Sequence, residues 1–105
     1  MSLKKIQDDV DKWTSQFTPQ YWSHYEILAR LTEETGELAR EINHLYGTKK
    51  KKDGEQENSL GQELTDIIFT VVCMANSQGI DLSKEWEWMM SGKLYGRDNN
   101  RYIKK

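Results

Sequence analysis

The feature that most constrains the fold is an apolar stripe with helical spacing between residues 28 and 45. Its members recur every three or four positions and are Leu28, Leu31, Thr35, Leu38, Ile42 and Leu45. This period predicts a long helix with one face toward a core. Glu34 and Glu37 lie beside the stripe, and Glu34 is only about 60° from Leu31 around the helix. Acids that border a core need a partner or a function, so this helix is the main clue to the chemistry.

The size and charge of the chain restrict its class. Its 105 residues suffice for one domain with a modest core, and we therefore expect residues 1–105 to form a single domain that gains stability by oligomerisation. The 15 Lys and Arg residues nearly balance the 17 Asp and Glu residues, giving a net charge of −2. Proteins that bind nucleic-acid polymers usually have a basic excess, so the balance argues against that function.

The sequence also carries signals about compartment. No apolar run is long enough to span a membrane, and the first residues lack the pattern of a signal peptide. Cys73 is the only cysteine, so an internal disulfide is excluded and a zinc-binding cluster is disfavoured. We expect a cytoplasmic protein that binds neither a membrane nor a nucleic-acid polymer.

Apolar periodicity predicts an all-α fold of four helices. Their expected ranges are 2–17, 23–46, 59–77 and 83–95. Ser2 and Ser23 are the predicted N-caps of the first two helices, and Gly47 is the predicted end of the second. Residues 48–58 contain no apolar side chain and predict a mobile loop, whereas residues 97–105 predict a polar tail. The third helix is apolar nearly all round, which predicts burial against another subunit in a homo-oligomer, a dimer or a tetramer.

A second pair of acids, Glu63 and Asp66, lies on the third helix, which has no Lys or Arg. An unpaired buried carboxylate is strongly unfavourable unless it is protonated, paired with a cation or bound to a metal. If helices two and three pack antiparallel, these acids converge with Glu34 and Glu37. Four carboxylates in one cleft repel each other unless a divalent cation lies among them, and oxygen ligands suit Mg²⁺ or Mn²⁺.

Each acidic pair alone is typical of a solvated helix face. Arg30 and Arg40 could neutralise Glu34, Glu37 or Glu41 within the second helix, and Glu34 and Glu37 lie four and three residues from an arginine. The two pairs together are more specific, because both flank an apolar stripe and a loop that permits a hairpin separates them.

The two pairs resemble the motif of MazG-type nucleoside triphosphate pyrophosphohydrolases, in which Glu-x-x-Glu precedes Glu-x-x-Asp on the next helix. Residues 31–38 are Leu-Thr-Glu-Glu-Thr-Gly-Glu-Leu, and residues 63–68 are Glu-Leu-Thr-Asp-Ile-Ile. The chain is similar over its whole length to short, single-domain members of this family. The resemblance implies a four-helix MazG-like domain whose antiparallel second and third helices form an acidic cleft, completed by oligomerisation.

The resemblance also implies a reaction and a set of acids. Family members cleave an NTP or dNTP to the nucleoside monophosphate and pyrophosphate, and one purpose would be the removal of aberrant nucleotides from the pool. By resemblance Glu34, Glu37, Glu63 and Asp66 would bind Mg²⁺, with Mn²⁺ as a substitute. Glu33 and Glu34 would be catalytic, with Glu33 orienting or deprotonating the attacking water.

Contacts with the rest of the substrate are expected from two further regions. Lys93 and Arg97 are four residues apart, in a place where family members carry basic residues after the acidic motif. Residues 96–102, which include Asn100 and Arg101, loosely resemble a family segment rich in Asn, basic and aromatic residues. These four residues would bind phosphate, although the proline common in that family segment is absent here. Aromatic residues before the second helix offer a base pocket in Trp13 and Trp22, with core packing as the alternative.

Other functions fit the same acids. A dUTP pyrophosphatase and a phosphoribosyl-ATP pyrophosphohydrolase are related all-α enzymes that the acidic motif does not distinguish. A non-catalytic, metal-binding helical oligomerisation module is an alternative of a different class. A ferritin-like di-iron bundle is disfavoured because the Glu-x-x-His pairs that it requires are missing.

Overall fold

The computed structural model describes residues 1–52 and 59–105, and within these ranges it is entirely helical, with no β-strand. The helices are α1 (Leu3–Thr14), α2 (His24–Tyr46), α3 (Leu60–Ser77) and α4 (Leu82–Trp88). α4 continues without a break into a π-helical segment, Met89–Asp98. The predicted all-α class with four helices is thereby confirmed. Most of the predicted loop, residues 53–58, lies outside the described residues.

Side-chain caps set the start of each helix. Ser2, Ser23, Ser59 and Asp81 each accept a hydrogen bond from a first-turn amide, which satisfies a donor that the helix itself leaves unpaired. Gly47 ends α2 in an extended conformation, as the sequence predicts. α1 stops at Thr14, three residues before its predicted end, and the fourth helix runs as α4 and the π-helical segment to residue 98, beyond its predicted end.

The antiparallel pair of α2 and α3 is the main packing unit. α1 packs against α3, and α4 packs against α1. None of the helices in the described part of the chain is long and apolar enough to cross a bilayer. The apolar core is small and consists of Val10, Ile27, Val72 and Ala75. The radius of gyration is 17.3 Å, larger than the roughly 13 Å of a compact chain of this length.

Only part of the apolar stripe of α2 is covered within a single chain, so the prediction of a core-facing stripe was wrong for its ends, while Leu31 and Leu38 are half-buried. Leu28 and Leu45 are each 55% exposed. The fully buried residues of α2 are Ile27, Glu34 and Glu41, which lie along one flank of this stripe. A 3.6-residue period identifies an apolar face but not the neighbour that covers it. α3 has the same property, because Leu64, Ile68 and Val71 are also exposed.

A polar network joins α1, α3 and the start of α4, and we call it the Gln7–Asn76 network. Gln7 Nε2 donates to Asn76 Oδ1 at 2.9 Å and to the Ile80 carbonyl at 2.8 Å. Gln7 Oε1 accepts from the Leu82 amide at 2.9 Å. Asn76 Nδ2 donates to the Gln7 carbonyl at 3.0 Å and to the Tyr21 hydroxyl at 2.9 Å. Each amide group of the network is therefore paired.

Candidate active site

Three carboxylates meet between α2 and α3, and we call them the acidic triad: Glu34, Glu63 and Asp66. One oxygen from each side chain lies within 4.8 Å of the others. Glu34 and Glu63 are only 4% and 3% exposed, whereas Asp66 faces solvent. Glu63 lies in the first turn of α3 and Asp66 one turn later, so both face the same part of α2. The structure thus brings together three of the four predicted metal ligands.

The triad is electrostatically unfavourable by itself. Burial raises the pKa of Glu63 above its ordinary value, and the negative charges of Glu34 and Asp66 raise this pKa further. Glu63 Oε2 is buried and has no hydrogen-bond partner among the described residues. A buried acceptor without a donor costs stability, so the site has an unfilled requirement for a positive charge or a proton.

The donor set fits a hard divalent cation. All three groups offer oxygen, they lie close enough together to bind a common ion, and one buried oxygen has a free lone pair. Oxygen ligands of this kind suit Mg²⁺ and Mn²⁺ and do not suit metals that prefer sulfur. Glu34, Glu63 and Asp66 could therefore hold such an ion between α2 and α3.

The other two predicted acids lie at the margin of the triad. Glu37 is exposed and does not belong to the triad, although its charge contributes to the raised pKa of Glu63. Glu33 is exposed, and its Oε2 lies 3.4 Å from Arg30 Nη1. The structure places Glu37 near enough to influence the triad, whereas the contact recorded for Glu33 is with Arg30.

Arg30 also lies at the site, although it is not among the site residues predicted from the sequence. Its Nη2 lies 2.7 Å from Glu34 Oε1, which makes it the cation in direct contact with the triad among the described residues. Arg30 precedes Glu34 by four residues, and this spacing places both side chains on one helix face. The spacing indicated an ion pair that neutralises the acid, but it carried no information about the neighbouring cavity.

A second buried acid of α2, Glu41, has its own cation. Lys51 Nζ lies 3.1 Å from Glu41 Oε1, and both side chains are largely buried. Lys51 belongs to the predicted solvated loop, so the described part of that loop is anchored to α2. The Nδ1 atom of the nearby His44 is buried and has no hydrogen-bond partner in the described chain.

A cavity of about 510 Å³ opens beside the triad, and we call it the aromatic cavity. Glu34, Asp66 and Arg30 line it together with five aromatic residues: Trp13, Phe17, Tyr21, Trp22 and Phe69. The rings of Trp13 and Phe69 meet edge to face with centroids 6.0 Å apart. Both residues of the predicted base pocket thus line a cavity that reaches the acids. Trp13 and Trp22 are 55% and 57% exposed, so neither is a core residue of a single chain.

Burial changes the acidity of two residues that line the cavity, Cys73 and Tyr21. Burial raises the pKa of the Cys73 thiol, which disfavours the nucleophilic thiolate at this position. Burial also raises the pKa of Tyr21, whose hydroxyl donates to Asp11 at 2.9 Å. The Gln7–Asn76 network holds this tyrosine, and with it one wall of the cavity, at a fixed position.

The predicted phosphate-binding residues do not contact the triad within one chain. In the described residues, Lys93, Arg97, Asn100 and Arg101 form no hydrogen bond or ion pair with its acids. Arg97 pairs with the adjacent Asp98 at 2.9 Å, and Asn100 accepts a hydrogen bond from Lys104 at 3.0 Å. Sequence spacing placed these residues on a common segment but could not determine where that segment lies relative to α2 and α3.

Comparison with known proteins identifies the family. The model of the MazG nucleotide pyrophosphohydrolase domain matches residues 22–102, more than half of the chain. The chain belongs to the MazG family. This confirms the resemblance that the two acidic pairs indicated, and the matched range contains all three acids of the triad. Trp13 lies before this range, so the α1 side of the aromatic cavity is outside the match.

Relatives of this MazG domain are similar in sequence and structure. YpjD of Bacillus subtilis (strain 168) is 44% identical over 104 residues, which cover 99% of this chain and 93% of YpjD. The crystal structure of YPJD from Bacillus subtilis superposes with a TM-score of 0.76, covering 89% of this chain and 95% of that one. A Bacillus-conserved MazG protein, described as a nucleotide pyrophosphohydrolase, has 43% identity and a TM-score of 0.73, with 87% of each chain covered.

Proposed function

We propose that this MazG protein is an Mg²⁺-dependent pyrophosphohydrolase that converts an NTP or dNTP to the nucleoside monophosphate and pyrophosphate. The observation that carries the proposal is the position of the acidic triad at the end of the aromatic cavity. Such an arrangement matches the two ends of a nucleotide, because a base can stack on aromatic rings while its phosphates lie beside a cation site. Removal of aberrant nucleotides is the purpose we favour.

The proposed metal ligands are Glu34, Glu63 and Asp66, with Glu37 at the margin of the site. Bound Mg²⁺, or Mn²⁺ in its place, would neutralise phosphate oxygens and polarise the bond that breaks. Glu34 and Glu63 are buried, so their side chains would be held in place as ligands of an ion bound there. This rigidity supports assigning them as fixed ligands, whereas the exposed Asp66 can also contact solvent or substrate.

The proposed reaction adds one water across the anhydride bond between the α- and β-phosphates. The bond between the bridging oxygen and one phosphorus breaks, the water oxygen bonds to that phosphorus, and a carboxylate accepts the water proton. We assign this carboxylate to Glu34, which like Asp66 belongs to the triad and lines the cavity, and for which the family resemblance implies a catalytic role. Glu33 stays a prediction for the same role, since its side chain is exposed and pairs with Arg30.

The aromatic cavity is the proposed site for the nucleobase. Trp13 and Trp22 offer wide apolar faces, and stacking on such faces contributes roughly 1–3 kcal/mol per base. Tyr21 and Gln20 also line the cavity, but Tyr21 donates to Asp11 and Gln20 donates to Asp11 and Thr14. With these donors already engaged, recognition of the base depends mainly on ring stacking and shape.

A homo-oligomer, a dimer or a tetramer, is part of the proposal. The exposed apolar faces of α2 and α3 and the high radius of gyration support it, because a second copy would cover surface that one chain leaves in water. In an oligomer, the cations of the C-terminal segment would also be able to contact a phosphate bound to a neighbouring copy. Lys93, Arg97, Asn100 and Arg101 lie on a segment without extensive contacts to α2 or α3, so a neighbouring copy is their proposed destination. We propose a cytoplasmic location.

Pyrophosphate release tests the function directly. Purified protein is incubated with a panel of NTPs and dNTPs that includes dUTP, and with phosphoribosyl-ATP, in Mg²⁺ and in EDTA. We expect release of pyrophosphate only with the metal, and the preferred substrate separates the three related enzymes. Glu34→Gln and Asp66→Asn should abolish release while the helical circular dichroism persists, and Glu87→Gln on α4 is a matched control. No release from any nucleotide by folded protein would favour the non-catalytic oligomerisation module.

A further inference from the structure

Arg30 lies where the acidic triad meets the aromatic cavity. Its Nη2 is 2.7 Å from Glu34 Oε1, its Nη1 is 3.4 Å from Glu33 Oε2, and its side chain lines the cavity beside Asp66. The side chain is half exposed, and its guanidinium pairs with both glutamates through different nitrogens. The guanidinium is therefore a positive charge between the proposed base and metal sites.

We propose that Arg30 is a phosphate-contacting residue that exchanges partners when a cation binds. In the absence of a metal ion it neutralises Glu34, and when a divalent cation occupies the triad it turns to the phosphates of the substrate. The proposal rests on the proposed function for the identity of the substrate. The sequence motif does not assign this residue, because the motif begins at Leu31.

Simple electrostatics gives the direction of this exchange. A divalent cation among Glu34, Glu63 and Asp66 competes with the guanidinium for Glu34 and repels it. The remaining partner, Glu33, is exposed, and exposed ion pairs contribute little free energy, so release from it costs little. A phosphate chain carries several negative charges and can accept two parallel hydrogen bonds from the planar guanidinium, whereas Arg30 contacts Glu33 and Glu34 through one nitrogen each. Metal and polyphosphate would thus bind in an ordered, coupled manner.

The exchange predicts opposite changes in two affinities. Arg30→Gln removes a positive charge beside the triad, so the protein without nucleotide should bind Mn²⁺ about tenfold more tightly. The same substitution removes the phosphate donor, so binding of polyphosphate should weaken at least about tenfold. Arg30→Lys keeps the charge and loses the planar fork. It should retain wild-type affinity for Mn²⁺ and bind polyphosphate with intermediate affinity.

Calorimetric titration tests both arms on the intact chain. The first arm titrates Mn²⁺ into chelator-treated protein, and the second titrates a preformed Mn²⁺–tripolyphosphate complex into protein saturated with Mn²⁺. Lys5→Gln is the matched control, because it removes a cation from another exposed ion pair, with Asp9 at 2.9 Å on α1. It should leave both affinities unchanged. Circular dichroism melting of each variant accompanies the titrations.

The outcomes separate the possibilities. Tighter Mn²⁺ and weaker tripolyphosphate binding in Arg30→Gln support the exchange. An unchanged affinity for tripolyphosphate overturns it, and so does a parallel loss of both affinities with a lower melting temperature, since this would mean that Arg30 only stabilises α2. A wild-type protein that does not bind Mn²⁺ would overturn both the exchange and the proposed metal site. If the wild type binds both ligands but hydrolyses no nucleotide, the proposed function fails while the two affinities still decide the role of Arg30.

Discussion

The acidic triad and the Gln7–Asn76 network are two polar clusters between helices of the same chain, and they have opposite chemistry. In the network every amide group has partners at 2.8–3.0 Å. In the triad three groups of the same charge lie within 4.8 Å of one another, and one buried oxygen has no partner in the described chain. A satisfied network stabilises a fold, whereas an unsatisfied cluster costs stability and is retained for another reason.

The two clusters also differ in how they are neutralised. The network consists of neutral groups, so its pairing does not depend on pH or on ions near neutrality. In the triad, by contrast, the ion pair found among the described residues is that of Arg30 with Glu34. The negative charge that remains on Glu63 and Asp66 would be neutralised by binding of an external cation. The difference between the clusters therefore predicts which substitutions harm the fold and which harm activity.

The largest expected effect is on turnover, from Glu63→Gln. The substitution keeps the size of the side chain and removes a proposed metal ligand, so turnover should fall by more than the roughly 10–100-fold that loss of an outer-shell partner costs. The free energy of unfolding without metal should stay constant or rise, because the repulsion from Glu34 and Asp66 is removed. Initial rates of pyrophosphate release and urea unfolding in EDTA measure the two quantities.

Glu87→Gln, on the exposed surface of α4, is the control for loss of one negative charge and should change neither quantity. A Glu63→Gln protein that is strongly destabilised in EDTA would mean that the triad contributes to the fold as the Gln7–Asn76 network does. The contrast between the two clusters would then be lost.

The second prediction concerns the Gln7–Asn76 network, where a substitution should lower stability and leave turnover nearly unchanged. Asn76→Ala removes a partly buried side chain that accepts from Gln7 and donates to the Gln7 carbonyl and to Tyr21. The free energy of unfolding should fall by about 2–3 kcal/mol, because donors and acceptors are left unpaired. Turnover per folded molecule well below the melting temperature should stay within severalfold of wild type, since the triad is unchanged.

Urea titration and rate measurements at low temperature check this second prediction. Gln78→Ala is the control, because Gln78 is exposed at the end of the same helix and makes only a weak side-chain hydrogen bond of 3.5 Å. If Asn76→Ala unfolds with wild-type stability, the network is a surface feature. If it abolishes turnover in fully folded protein, the position of Tyr21 matters for chemistry.

A third, smaller effect concerns pH. The raised pKa of Glu63 means that the folded, metal-free chain binds this proton more tightly than the unfolded chain does. The contribution to stability is thus fully present below the ordinary pKa of a glutamate and is lost as pH rises through the raised value. Urea unfolding in EDTA over this range should give a stability that declines with pH. Saturating Mn²⁺ or the Glu63→Gln substitution should remove the decline, and a decline that persists in Glu63→Gln would assign it to another group.

The sequence alone was enough to predict the all-α class, the caps at Ser2 and Ser23 and the end of α2 at Gly47, because each depends on local spacing or local hydrogen bonding. The convergence of Glu34, Glu63 and Asp66 was also predictable, since two acidic pairs on antiparallel helices must face each other when the pairs flank the contact. A signal for the Arg30 ion pair was present in its four-residue spacing from Glu34.

Other features depend on tertiary packing that spacing does not encode. The leucine stripe of α2 was assigned to the core, yet Leu28 and Leu45 are exposed in one chain, because periodicity does not name the neighbour that covers a face. The aromatic cavity combines residues from α1, α3 and the connection before α2, so Phe69 could not be grouped with Trp13 before folding was known. The position of Lys93 and Arg97 likewise depends on where the C-terminal segment packs.

The smallest expected effect is a change in stability from a glycine substitution on α2, the helix that carries Glu34. Gly36 lies between Glu34 and Glu37, and a Cβ added there would meet no atom within 4 Å in one chain. Gly36→Ala should therefore stabilise the helix that carries the triad by about 0.5–1 kcal/mol, the difference in helix propensity between the two residues. Gly61→Ala, near the start of α3 and with its nearest atom at an ordinary 3.7 Å, is the matched control. Urea unfolding at several protein concentrations, with gel filtration, measures the effect. A loss of stability in Gly36→Ala together with a smaller assembly would show instead that a second copy packs closely against this glycine, and that the open space on α2 exists only in the isolated chain.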